Sequence, residues 1–328
     1  MPDSCPARAA AAALLVAALL PAPAQAAGTG QIFVSNERSS QIFVLKPDGE
    51  VASSFESCGR PRGMQFTPDH SRLLVACGSD DTIAAYDVAT HKLAKRFRDV
   101  PDPEAFALSP DGRNLYVSNE DDAEATVIDI DSGAVVQHYP VGDEPEGVLA
   151  TPDGRYVFVA SEAANLVQVI DVAAKKVVKE IVTATRPRRL AITPDAKRVW
   201  VSDEIAGLVE IIDVSALAVV AQVTFDVPGL RHDEITPVDM AISHDGRTAY
   251  VTLGRANRVA VVDVATLKTT DFVLTGKRPW GLRLSRDESR LYVANGLSDD
   301  VAIVDTASHK VVSTVAVGVV PYAVLIDE

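Results

Sequence analysis

An all-β fold of seven repeated units is predicted by three observations on the sequence. A turn signal recurs as TPDH at Thr67, SPDG at Ser109, TPDG at Thr151, TPDA at Thr193, SHDG at Ser243 and SRDE at Ser285. An apolar run follows each turn: LLVAC at Leu73, LYVSN at Leu115, VFVAS at Val157, VWVSD at Val199, AYVTL at Ala249 and LYVAN at Leu291. The same run begins the series as IFVSN at Ile32. The step is 42 residues from Thr67 to Ser109, on to Thr151 and Thr193, and again from Ser243 to Ser285. A period of that length marks a repeat architecture. Val-rich runs and Pro-Asp-Gly turns make the repeats β rather than helical.

Each unit reads as four short strands. A proline opens the first: PRGMQF at Pro61, PEAFAL at Pro103, PEGVLA at Pro145, PRRLAI at Pro187, PVDMAI at Pro237, PWGLRL at Pro279 and PYAVLI at Pro321. The turn follows, because proline presets the backbone for its second position and Asp and Gly suit the rest. The apolar run is the second strand. The third ends in an aspartate at Asp87, Asp129, Asp171, Asp213, Asp263 or Asp305, whose carboxylate can bond the N–H groups of the next turn. The fourth is Val-rich, as in KVVKEI and KVVSTV. Strands apolar on both faces must be covered on both faces. Four-stranded sheets stacked face to face in a ring achieve this, so the expected fold is a seven-bladed β-propeller. Ile32 has no opening strand before it and Pro321 has no second strand after it. The C-terminal strand is therefore expected to pair with the N-terminal three and close the ring, hiding the sheet edges.

Residues 1–27 form a separate object. Arg8 precedes the apolar run Ala9 to Leu20, and Ala24-Gln25-Ala26 is a small-x-small cleavage pattern. This reads as a cleaved secretory signal peptide, leaving 28–328 as a single domain. No later segment is long and apolar enough to span a membrane. The expected location is the periplasm. A net charge of −14 argues against phosphate-mediated binding of nucleic acid. Cys5 leaves with the leader. Cys58 and Cys77 remain; antiparallel neighbours bring both to one face, where a disulfide is geometrically plausible beside the alternative of two free thiols.

Function in a repeat fold lies where the copies differ. Beside the opening prolines stand Arg60 and Arg62, Asp102 and Glu104, Glu144 and Glu146, and then Arg186, Arg188 and Arg189. Thr236, Val238 and Asp239 follow, with Arg278 and Trp280, then Val320 and Tyr322. The first strand is expected innermost, so these residues ring one channel mouth with six arginines against five carboxylates. Arg, Trp and Tyr are frequent binding anchors, and guanidinium suits carboxylates and phosphates. The expectation is a site for a protein partner or small anionic ligand; the competing reading is that the charges pair and solvate a rim. The turns after the second strands, from Glu37 through Asp80, Asp81, Glu120, Asp121, Asp122 and Glu162 to Asp203 and Glu204, read as a solvated acidic rim. One repeat is longer, in FDVPGLRHDEITP, and its Arg231, His232, Asp233 and Glu234 form a candidate lid or contact loop. The six histidines are scattered and no nucleophile elbow, phosphate loop or CxxC occurs, so no catalytic residue, metal or cofactor is assigned to the chain.

The LYVxN motif at Leu115 and Leu291, with the VIDxxT-like strands, resembles the YVTN-type β-propeller repeat family over nearly the whole chain beyond residue 27. The stretches IFVSNERSS, RPRGMQFTPD, DPEAFALSPDGRNLYVSNEDD, PEGVLATPDGR and ANRVAVVD, with the longer fifth repeat, are similar to the PQQ-dependent catabolism-associated β-propeller proteins. That resemblance implies an exported protein serving periplasmic alcohol oxidation by pyrroloquinoline quinone enzymes. Its partner would be a PQQ dehydrogenase, a cytochrome or a transport component, with the quinone bound by the associated enzyme. Two alternatives stand beside this. A sugar lactonase would use Glu104 or Glu146 with Arg188, and a redox-accessory subunit would bind haem or quinone.

Overall fold

The S/T-P-D turns close on their own side chains. Ser109 Oγ donates to Asp111 Oδ1 at 2.6 Å, the Arg113 N–H donates to the same oxygen at 3.1 Å, and the Gly112 N–H returns to the Ser109 carbonyl at 2.8 Å. Gly112 sits at φ +70°, the left-handed region. His70, Ala196 and Glu288 hold that position in other turns at φ 55°, 56° and 56°, against the usual preference for glycine. The third-strand aspartates cap the next turn: Asp129 Oδ1 accepts the Ser132 N–H at 2.8 Å and its hydroxyl at 2.6 Å.

These turns connect strands into seven four-stranded antiparallel sheets arranged as a propeller. The computed structural model describes Met1 and residues 28–328, so the expected leader peptide lies outside the described residues apart from Met1. The inner strands of blades two to seven are Pro61–Phe66, Pro103–Leu108, Pro145–Ala150, Pro187–Ile192, Pro237–Ile242 and Pro279–Leu284. Blade one is composite. Its inner strand Pro321–Ile326 pairs with Ile32–Asn36, which continues into Gln41–Leu45 and Val51–Glu56. Ile32 faces Ile326 and Val34 faces Val324.

Blades pack through one apolar cluster at every interface around the circle. Between blades one and two, Phe33, Ile42 and Val44 meet Leu73, Val75 and Ala84. Between blades five and six, Trp200, Val209 and Ile211 meet Met240, Ala249 and Val251. The second strands are buried along nearly their whole length, as expected of sheets covered on both faces.

A polar staple joins neighbouring inner strands. Ser118 Oγ accepts the Ala105 N–H of its own blade at 3.1 Å and donates to the Glu146 carbonyl of the next at 2.8 Å. Ser35, Ser202 and Thr252 repeat the arrangement. Blades two, four and seven carry Ala76, Ala160 and Ala294 there, and the third inner-strand residue is glycine. At Gly147 and Gly281 a Cβ would come within 2.3 Å and 2.5 Å of the next blade's carbonyl oxygen, so close backbone approach replaces the hydroxyl.

Candidate functional site

Every inner strand carries the same irregularity. Pro61 opposes Cys77 but Met64 opposes Val75, so one extra residue is inserted after the proline. Blades three and five show it between Pro103 and Phe106 and between Pro187 and Leu190. Such bulges re-aim side chains. The residue before the proline is left-handed at Arg60, Asp102, Glu144, Arg186, Arg278 and Val320, with φ between 37° and 66°. The chain thus turns sharply into each inner strand and presents its first side chains at one end of the channel.

Three rings result. The residue before the proline supplies Arg60, Asp102, Arg186 and Arg278. The residue after it supplies Arg62, Glu104, Glu146, Arg188, Val238, Trp280 and Tyr322, one per blade. The residue after the second strand supplies Glu37, Glu120, Glu162 and Glu204, and Gly78, Gly254 and Gly296 hold that place in the other three blades. The sequence placed this third ring among solvated turns, and the structure corrects that. Glu162 and Glu204 are 3% and 5% exposed, and Glu37 and Glu120 are partly buried.

The rings interlock. Arg60 pairs with Asp102 and, at 2.7 Å, with Glu104. Arg62 pairs with Glu104 and lies 3.4 Å from Glu37. Arg186 reaches Glu162 at 2.6 Å and Glu204 at 3.2 Å. Arg188 sits among Glu204 at 2.9 Å, Glu146 at 3.5 Å and Glu162 at 3.6 Å. Arg278 reaches Glu204 at 2.8 Å. Glu146 accepts from Arg189 at 3.0 Å and from the Tyr322 hydroxyl at 2.7 Å. Arg189 also donates to that hydroxyl, and the Arg62 guanidinium lies 4.9 Å from the Tyr322 ring centre. Trp280 meets Tyr322 edge-on at 5.4 Å.

Six arginines therefore face seven carboxyl groups: Glu37, Asp102, Glu104, Glu120, Glu146, Glu162 and Glu204. The apparent arginine surplus of the mouth disappears. Acidity divides accordingly. Burial disfavours a charged Glu146, but Arg188, Arg189 and Arg62 overcome it and hold this carboxyl well below its usual range. Burial first, then Glu146, push Glu162 up to about 8 against the pull of Arg188 and Arg186. Burial and hydrogen bonding to Glu104 push Glu120 up to about 8. Asp203, fully buried with both carboxylate oxygens unpartnered, is pushed up to about 8 by burial and then by Glu210. Like charges that cannot all be neutralised share protons in this way.

Asp102, Glu104 and Glu120 bring one oxygen each within 4.8 Å of one another. Arg60 and Arg62 already neutralise the first two, so this donor set is poorly suited to a cation.

Of the residues singled out in the sequence, Arg60, Arg62, Glu104, Glu146, Arg186, Arg188, Arg189, Arg278 and Tyr322 share this network, and Trp280 borders it. Asp239 does not join. Its carboxylate accepts the N–H groups of Met240 at 2.8 Å and Leu282 at 3.2 Å, capping the neighbouring inner strand. The long loop holds a short 3-10 turn, His232–Glu234. Arg231 pairs with Asp233 and Glu234 at 3.3 Å, and His232 Nε2 lies 2.9 Å from the Ala206 carbonyl. The loop thus lies against the turns of blades five and six, and its charged side chains have no ion pair with the rings among the described residues. Cys58 and Cys77 form a disulfide at the same end, with Cα atoms 5.7 Å apart. Beyond the rings, the later halves of the inner strands enclose a cavity of about 550 Å³, with Arg189, Trp280 and Tyr322 among its lining residues.

A family model described as YNCE-like beta-propeller matches residues 57–193, and one described as Choice-of-anchor I domain matches residues 126–291, half of the chain. The chain belongs to the β-propeller family. Among solved structures, this propeller is similar to hydrazine synthase of Kuenenia stuttgartiensis, with 22% identity, 85% of this chain and 93% of that one covered, and a TM-score of 0.77. It is similar to the periplasmic gluconolactonase of Pseudomonas aeruginosa, with 22% identity, 91% and 99% covered, and a TM-score of 0.76. A functionally unknown protein from Desulfotomaculum acetoxidans matches at 17% identity, 91% and 99% covered, with a TM-score of 0.78. These likenesses show the propeller fold. A search of curated proteins finds no match.

Proposed function

We propose that this propeller is an exported, non-catalytic binding protein that docks a protein partner on the face carrying the charged rings. The observation that carries this reading is the construction of that face. Its arginines and glutamates are locked to one another and largely buried, which gives a rigid patterned surface. Around it the turns expose Ile205 (56%), Leu297 (63%) and Val319 (47%), one aliphatic side chain from each of three blades. Apolar groups beside arginine and aromatic residues are the usual composition of a docking surface. The resemblance to PQQ-associated propellers supports a partner among periplasmic alcohol-oxidation components: a dehydrogenase, a cytochrome or a transport subunit. The test is capture from periplasmic extract of alcohol-grown cells with the native protein and with an Ile205→Asp/Leu297→Asp variant. Retention of such a component by the native protein alone is expected. Equal retention by both, or by neither, sinks the docking reading.

A second reading, lactone hydrolysis, is favoured by one specific observation. Glu120 is half-buried and its carboxyl is pushed up to about 8, the range of a general acid or base at neutral pH, with Glu104 beside it. The similar Pseudomonas aeruginosa protein is a gluconolactonase. Hydrolysis of gluconolactone by purified protein, abolished by Glu120→Gln, is the result this reading requires. Rates at background reject it.

A further inference from the structure

The anion-binding potential of this molecule lies away from the place where its arginines are densest. All six ring arginines are answered by carboxylates. Of the four arginines on inner strands, Arg62, Arg188 and Arg189 belong to that network. The fourth, Arg283, lines the 550 Å³ cavity and is exposed there. Its guanidinium has no hydrogen bond or ion pair to another described residue, while its backbone pairs with Tyr292 in the sheet. The carboxylate on the cavity wall, Asp239, is occupied by the Met240 and Leu282 N–H groups. Gln65, also among the lining residues, accepts the Leu108 N–H through its side-chain carbonyl at 3.1 Å, which leaves its NH2 group as a second donor.

The rest of the wall is different in kind. Leu149, Ile192, Ile242 and Leu284 line the cavity and are each partly exposed. A cavity of this volume, with these aliphatic side chains set beside polar groups, is in the range of a small-molecule site. We propose that the channel binds a small organic acid, its carboxylate held by Arg283 with Gln65 assisting and its apolar body against the aliphatic wall. A planar guanidinium with free donors matches a carboxylate through two parallel hydrogen bonds. An ammonium-bearing ligand would meet an unanswered positive charge, and an apolar neutral molecule would leave that charge without a partner. The site is separate from the docking face, on the other side of the Arg189–Tyr322–Trp280 floor, so its failure and the failure of partner docking are distinguishable.

The experiment is calorimetric titration of residues 28–328 with benzoate and hexanoate, with benzyl alcohol and hexanol as uncharged counterparts. Binding of at least one acid is expected, with its alcohol about ten-fold weaker or more, as loss of one charge-assisted hydrogen-bonded pair implies. Arg283→Gln is expected to weaken the acid by a similar factor. Arg286→Gln, at an exposed turn position outside the cavity lining, is expected to leave it unchanged. The proposal is overturned if neither acid binds, if acid and alcohol bind alike, or if Arg283→Gln binds as tightly as the native protein. Unchanged melting temperatures for both variants exclude misfolding as the cause.

Discussion

Arg188 is the residue on which the charged rings depend most. It lies within 3.6 Å of Glu146, Glu162 and Glu204 and is 8% exposed. Replacing it by leucine would leave buried carboxylates facing one another. A loss of about 3–5 kcal/mol is expected, read from the denaturant midpoint, because breaking one side of a buried ion pair strands the other. Protonation gives an independent test. Glu120, Glu162 and Asp203 have carboxyls raised to about 8, above their unfolded values, so the folded state holds protons there that the unfolded chain releases. Their contribution is complete below the unfolded carboxyl range and is lost as pH rises toward 8. Melting temperature should therefore fall between about pH 5 and pH 9, and fall less in a Glu120→Gln/Glu162→Gln double variant. Glu146 acts with the opposite sign, and its contribution is lost only in strong acid. The arginines and glutamates beside the prolines were legible in the sequence because the proline marks their position in each repeat. The burial of the third-ring glutamates is not legible in the sequence, since a glutamate after a strand gives no sign that a bulge and a left-handed residue will bring an arginine over it.

At the scale of elements, the join between the fourth strand and the next inner strand is made in more than one way. Three residues before the inner proline stand Gly142, Gly276 and Gly318, each against the residue that ends the second strand: Ser161, Asn295 and Asn36. Blade two places Cys58 there and Cys77 opposite, so a covalent bond stands where these three blades have a glycine packed closely against the facing residue. Removing it with Cys58→Ser/Cys77→Ser is expected to cost about 3 kcal/mol for a loop of this length. The check is the denaturant midpoint with and without reductant. At Gly276 a Cβ would come within 2.6 Å of Asn295 Nδ2 and 2.7 Å of its Cβ. Gly276→Ala should lower stability by about 1–3 kcal/mol, through crowding rather than backbone strain. The strands themselves were readable because turn chemistry and apolar runs repeat. The serine staples are not legible in the sequence because one hydroxyl inside a repeated strand looks like ordinary variation, and only the structure shows the neighbouring blade accepting from it.

For the whole molecule, closure is the organising fact, and the two half-units at either end of the sequence announced it. The closing strand is tied at its end as well: Asp327 accepts from the Thr29 N–H at 2.9 Å and its hydroxyl at 2.7 Å, and His70 Nδ1 of blade two lies 2.7 Å away. Deleting residues 321–328 would bare the inner edge of Ile32–Asn36 and one face each of blades two and seven. Loss of the cooperative melting transition and formation of soluble aggregates are expected, by circular dichroism and size-exclusion chromatography. What the sequence does not express is the face-to-face charge pairing between blades, which depends on which repeat stands beside which.

Six blades are each a continuous stretch of chain, whereas blade one is completed only by hydrogen bonds and packing between segments nearly three hundred residues apart. That makes it the one seam in an otherwise endless stack. Among the described residues the other blades are continuous chain, so a ring held at this latch is expected to open there first and its lifetime to follow that opening.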